Sequence, residues 1–269
     1  MLVRLRLMRA RLLPHGWPDI VRQFLLFGAA YMLYRVVRGL ADARTTAAFK
    51  HARELINVER TLHFFVEPSI QVWASGSHLL MEVTTLLYLN AQSTVLIGVL
   101  LYLYIVHNRS FYFVRNMLMV AMAIALVGYI LFPTAPPRFL PEFGFFDSVA
   151  DLTGVPATSA PVNALFNPYA AIPSMHVGFA LMLGWPLARL ARWRIVAAFW
   201  YLYPFVIAFV TVATANHFLS DAILGALTAG ISALVARRLG RLRPQAWCFV
   251  PRTAAAPAIA PAGIGGCPT

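Results

Sequence analysis

The chain has 269 residues, 60% of them hydrophobic and only 12% charged, with a formal net charge of +12. A soluble domain of that length carries about 25% charged residues, so the composition excludes an ordinary water-soluble globule. The basic residues fall in short clusters between long apolar blocks, at 4–11, 109–115, 189–194 and 237–243. That placement suits anionic headgroups and the positive-inside rule, and argues against nucleic acid as a partner.

Residues 1–19 read as a basic cytoplasmic arm. The first apolar span covers about 20–40, where Arg22 and Arg35 must snorkel to the interfaces. No small-x-small cleavage site follows it, so it reads as a retained anchor. Residues 41–83 form an amphipathic and interfacial segment, with Phe64, Phe65 and Trp73 at its end. Further spans are expected at about 84–106, 112–132, 174–189, 193–215 and 218–236, near the roughly 20 residues a bilayer core requires. The 133–173 connection is rich in Pro, Gly and Asn and too long for a plain linker. The Ala/Pro/Gly-rich tail, 244–269, is expected to be unstructured. It holds both cysteines, Cys248 and Cys267, which are expected to be reduced if the tail is cytoplasmic. The expected fold class is an all-α integral membrane protein, a six-transmembrane-helix bundle over residues 20–243.

With the N-terminus inside, all four basic clusters fall inside too. Both termini are then cytoplasmic in a multi-pass protein of the plasma membrane. The 41–83 segment, the 133–173 loop and the turn near 216 lie outside.

This topology gathers the chain's unusual polar residues on the exoplasmic side. Arg138 stands in "FPTAPPRFLP", Ser174 and His176 in "AIPSMHVGFA", and His217 and Asp221 in "ANHFLSDAIL". His217 and Asp221 are four apart, so on a helix they share a face. An aspartate on one imidazole nitrogen fixes the tautomer and leaves the other nitrogen nucleophilic. Pro173 suits a first helical turn, and Ser174 beside it can leave backbone N–H groups free for an anion. Arg138 is a forked, permanent cation suited to phosphate. Together these residues suggest phosphoryl transfer: His217 as nucleophile, Asp221 as its partner, His176 as general acid, Arg138 and Ser174 on the phosphate oxygens. Two histidines and an aspartate also fit a metal triad; Arg138 argues against one, because it would repel the ion. No metal and no other cofactor is expected.

The "PSMH" and "HFLSD" elements resemble the type 2 phosphatidic acid phosphatase superfamily over roughly residues 130–226. The resemblance implies the same roles for His217, Asp221, His176 and Arg138. Two departures stand out. Leu131 occupies the place of a lysine in the family's first signature, with Phe139 after the arginine, and Val210 and Thr211 replace a Ser-Arg pair in its third. The pattern is similar to the branch containing inositol phosphorylceramide synthases, as is "LINVERTLHFFVEPSIQVW" at 55–73. That branch implies a lipid phosphotransferase acting through phosphohistidine on a phospholipid or other lipid phosphate. Water as acceptor would make the same residues a lipid phosphate phosphatase, and a non-catalytic lipid-binding protein or transporter is the remaining alternative. Asn163, Asn167 and Asn216 offer amide donors in place of the missing cations, Asn216 first because it adjoins His217. Glu67 and Glu82 have no assigned role at this stage.

Overall fold

A chain in lipid must satisfy its backbone polar groups internally, and helices do so. The computed structural model describes residues 16–40, 45–155 and 169–248, and it is helical throughout. The helices are α1 (Gly16–Leu40), α2 (Thr45–Thr61), α3 (Glu67–Ser75), α4 (His78–Val106), α5 (Asn108–Leu131), α6 (Ser148–Thr153), α7 (Met175–Leu190), α8 (Arg194–Ala213), α9 (Leu219–Leu242) and α10 (Pro244–Trp247). Two single 3-10 turns, Pro137–Phe139 and Pro141–Phe143, follow α5. Thr134 and Ala170 form an isolated bridge; no strand occurs among the described residues.

Helices α4, α5, α8 and α9 are long and apolar enough to cross a membrane. Two of the six expected spans, α7 and α1, are not among these. Helix α7 has 16 residues, about 24 Å at 1.5 Å per residue, less than the roughly 30 Å of a hydrocarbon core. It packs against α4, α5, α8 and α9 and is buried along most of its length, so protein surrounds it where lipid would otherwise set its length. Helix α1 lies against α5, with Arg22, Phe24 and Leu25 exposed. Large apolar side chains such as Ile195, Phe205 and Leu234 also face outward, more than a soluble monomer tolerates.

The helix contacts rest on glycine. A Cβ on Gly184 would stand 2.5 Å from the Trp200 carbonyl oxygen, and one on Gly225 would stand 2.2 Å from that of Ser174. The backbone of α7 therefore touches those of α8 and α9, as small residues allow between membrane helices.

Each end of the bundle carries a polar structure. At one end Arg115, buried in α5, donates to Gln23 Oε1 (2.7 Å), Asn116 Oδ1 (2.6 Å) and the Trp247 carbonyl (3.0 Å). Asp19 accepts from Gln23, Tyr104 and Tyr112 beside it. This network also corrects the expected tail. Residues 244–247 form a turn of helix because the Trp247 carbonyl accepts the donors of Arg115 and Asn116. Cys248 behind it is buried and disulfide-bonded, not the expected reduced thiol; residues 249–269 and 1–15 lie outside the described residues.

At the other end α2 and α3 form a cap. The buried face of α2 reads Ala48, Ala52, Ile56, Glu59, a helical stripe. It packs on Ala135, Leu140, Phe145, Ala215 and Phe218. His51 stacks on Phe132 at 4.1 Å, with Nδ1 2.8 Å from the Pro133 carbonyl oxygen. Gln71 of α3 exchanges hydrogen bonds with both backbone groups of Phe146. The amphipathic segment thus covers the end of the bundle.

Candidate active site

Beneath that cap two helices begin side by side. Ser174 is the N-cap residue of α7, yet its side chain caps nothing. Its Oγ is buried without a partner, and its N–H donates to the Asp221 carbonyl at 3.1 Å. The first N–H groups of a helix have no intrahelical acceptor, so the start of α7 presents backbone donors and a hydroxyl together. Tyr129 anchors the approach through the Pro173 carbonyl at 3.3 Å.

The second helix is α9. A left-handed residue, Ala215 at φ +50°, turns the chain out of α8, and the Asn216 and His217 N–H groups both donate to the Thr211 carbonyl. His217, 5% exposed, has Nδ1 3.4 Å from Asp221 Oδ2; such contacts commonly tighten when substrate binds. Asp221, fully buried, also accepts from the Phe218 N–H at 2.9 Å, which fixes its carboxylate independently of the histidine. The His176 and His217 rings lie 5.5 Å apart at 60°. Tyr88 stacks on His176 at 4.6 Å.

Arg138 reaches the site from the first 3-10 turn. Its N–H donates to the Ala215 carbonyl at 2.8 Å, its Nη1 donates to Asn216 Oδ1, and its Nε lies 3.9 Å from Asp147 Oδ1. Arginine has no acceptor, so Asn216 must turn its oxygen to it. The Asn216 amide nitrogen is occupied by the Thr214 carbonyl (3.1 Å) and hydroxyl (2.9 Å). In this arrangement Asn216 holds Arg138 through its oxygen while its amide nitrogen is turned to Thr214. Asn163 and Asn167 lie outside the described residues.

Of the family positions that depart, Leu131 is 72% exposed and points away from the site. Val210 and Thr211 line a small, mostly apolar cavity among α4, α7 and α8, together with His176, Leu87, Ala91 and Phe179.

The unassigned acids separate. Glu82 sits half-exposed on α4, 3.5 Å from His78. Glu67 is wholly buried and accepts the Leu219 N–H at 2.8 Å. Glu59, which the motifs do not single out, is equally buried and accepts the Ser220 N–H (3.0 Å) and hydroxyl (2.6 Å). Burial pushes the Glu59 carboxyl up to about 8; its bonds from Ser220 pull it back and the nearby Glu67 pushes it further up. The signal for it was a carboxylate on the apolar stripe of α2.

The fold and the site define a helical membrane protein in which an arginine, two imidazoles and an uncapped helix start come together beneath a cap. The family model for the PAP2 superfamily matches residues 53–235, from α2 into α9, and the chain belongs to that superfamily. Its members are phosphoesterases, which makes this chain an enzyme of phosphoester chemistry. Neither a curated protein nor a solved structure matches the chain.

Proposed function

We propose that the protein is a membrane lipid phosphotransferase that moves a phosphoryl-containing headgroup through a phosphohistidine on His217. The observation that carries this reading is the meeting of His217, backed by Asp221, with His176 and Arg138 at the uncapped start of α7. With Nδ1 turned to Asp221, Nε2 of His217 attacks phosphorus. The bond to the leaving lipid alkoxide breaks as His176 gives it a proton. Arg138, Ser174 and the α7 N–H groups bear the charge on the equatorial oxygens. An acceptor hydroxyl then yields its proton to His176, attacks the phosphohistidine and releases His217. No step calls for a metal.

The lining next to His176 is mostly apolar and set among the spanning helices, which supports a lipid substrate. With Thr211 on that lining and Leu131 facing outward, the two usual cations are absent. A phosphodiester donor, with less charge than a monoester, needs fewer. Both features favour the branch that resembles inositol phosphorylceramide synthase.

The same reading places six helices across the plasma membrane, α1 and α7 included, with both termini cytoplasmic and the site exoplasmic. Helix directions put the arginines of 109–115, 189–194 and 237–243 at the end opposite the site. The disulfide at Cys248 pulls the other way, away from a reducing compartment; the clustered charge outweighs it.

The test is purified protein incubated with a panel of lipid phosphomonoesters and phosphodiesters, scoring free phosphate and new phospholipid. New phospholipid, with acid-labile phosphate on wild type and none on His217→Ala, is the expected result. Free phosphate from monoesters alone would replace the transferase with a phosphatase. Unchanged function in His217→Ala would overturn catalysis at this site altogether.

A further inference from the structure

Glu59 and Glu67 come from different helices, yet their Oε1 atoms accept from consecutive amides, Ser220 and Leu219. Consecutive helix residues rise only about 1.5 Å, so the two carboxyl groups are neighbours. Both residues are 0% exposed, and in each the second oxygen, Oε2, has no donor. Two adjacent carboxylates away from water do not both keep their charge; one proton stays on the pair. A proton held between them also gives the orphaned oxygens a donor and an acceptor.

Among the described residues no cation forms an ion pair with either carboxylate. On α2, Arg53 is turned to Glu142 and Arg60 lies over Phe65 and Phe143. Arg138 is engaged by Asn216 and Asp147. From α9 the pair meets Asp221, which faces Glu67, and beyond it His217.

We propose that Glu59 and Glu67 share one proton and act together as a positioning clamp on the start of α9. The clamp sets where Asp221 and His217 stand relative to the phosphate held by α7. One negative charge at a helix N-terminus complements its dipole. Two would repel each other and Asp221, opening the clamp. The inference rests on the phosphohistidine reading for its effect on rate, but the shared proton does not depend on it.

The experiment combines activity with difference infrared spectroscopy on Glu59→Gln, Glu67→Gln, Glu59→Ala and the double glutamine variant. A glutamine copies a protonated carboxyl, with an acceptor for the amide and a donor for its neighbour. Each single glutamine variant should keep most of the wild-type kcat, while Glu59→Ala and the double variant fall about 100-fold, as misplaced catalytic groups do. Wild-type kcat should fall as pH rises past about 8, and both single variants should lack that fall. Wild type minus either single variant should show a carboxylic acid carbonyl band at neutral pH. The clamp is overturned if Glu59→Ala equals Glu59→Gln, or if the pH profiles superimpose. The shared proton is overturned if either difference spectrum lacks the band. Absence of any His217-dependent product, with the band present, would instead sink the phosphotransferase reading.

Discussion

Helices α7 and α9 begin beside each other, joined by the bond from Ser174 N–H to the Asp221 carbonyl, and their N-termini are finished in opposite ways. At α9 three carboxylates take three successive N–H groups: Asp221 on Phe218, Glu67 on Leu219, Glu59 on Ser220. At α7 no side chain caps the helix and the Ser174 hydroxyl has no partner. Any helix N-terminus attracts an anion, so two open ends would offer a phosphate two seats. Acids fill one and leave the other. On the proposed reading the nucleophile, His217, stands just before the filled helix and the phosphate sits at the open one, and the Ser174–Asp221 bond sets their relative geometry.

The sharpest way to break that asymmetry is Ser174→Asp, which puts a carboxylate where the phosphate would sit. We expect kcat/KM to fall about 1,000-fold, comparable to losing an oxyanion donor, while helix capping is improved. Activity measured beside thermal unfolding checks it. Loss of both together would mean simple misfolding, and retained activity would remove α7 as the phosphate seat.

Gly225→Ala strikes the spacing between the ends without touching their chemistry. The added methyl would lie 2.2 Å from the Ser174 carbonyl oxygen, so the helices must part. Stability should drop by about 1–3 kcal/mol as for an overpacked contact. The rate should drop by about 100-fold, the scale of a misplacement near 1 Å. Gly230 on the same helix has nothing within 4 Å of its position for a methyl, so Gly230→Ala is the control and should change neither.

The open end was legible in the sequence because it is local: "PSMH" spells a helix start with its polar residues, and "HFLSD" places His217 and Asp221 one turn apart. The long spans were legible for the same reason, apolar length. The filled end was not. Its bonds join residues 152 and 161 positions apart, and nothing local separates Glu59 from the exposed Glu54 five residues earlier except the company of Ala48, Ala52 and Ile56. That α7 is short and sheathed in protein was not legible either, because apolar content does not tell burial in protein from burial in lipid. The turn at 244–247 was missed because its partners, Arg115 and Asn116, come from another helix.

A last test, read on stability alone, probes the filled end. An acid whose folded pKa lies above its unfolded value keeps, in the folded chain, a proton that the unfolded chain has lost. For Glu59 that interval runs from its ordinary 4.5 to about 8. Below it both states are protonated, and above it both are ionised, so neither limb contributes a slope. Within it the unfolded chain binds fewer protons, and wild-type stability falls as pH rises. A glutamine does not titrate, and every other group is common to both proteins. The stability of Glu59→Gln relative to wild type should therefore climb through the interval and level off on either side. Unfolding midpoints in detergent across a pH series read this directly, and parallel curves would mean that Glu59 is ionised in the folded protein and that α9 is held by two charges.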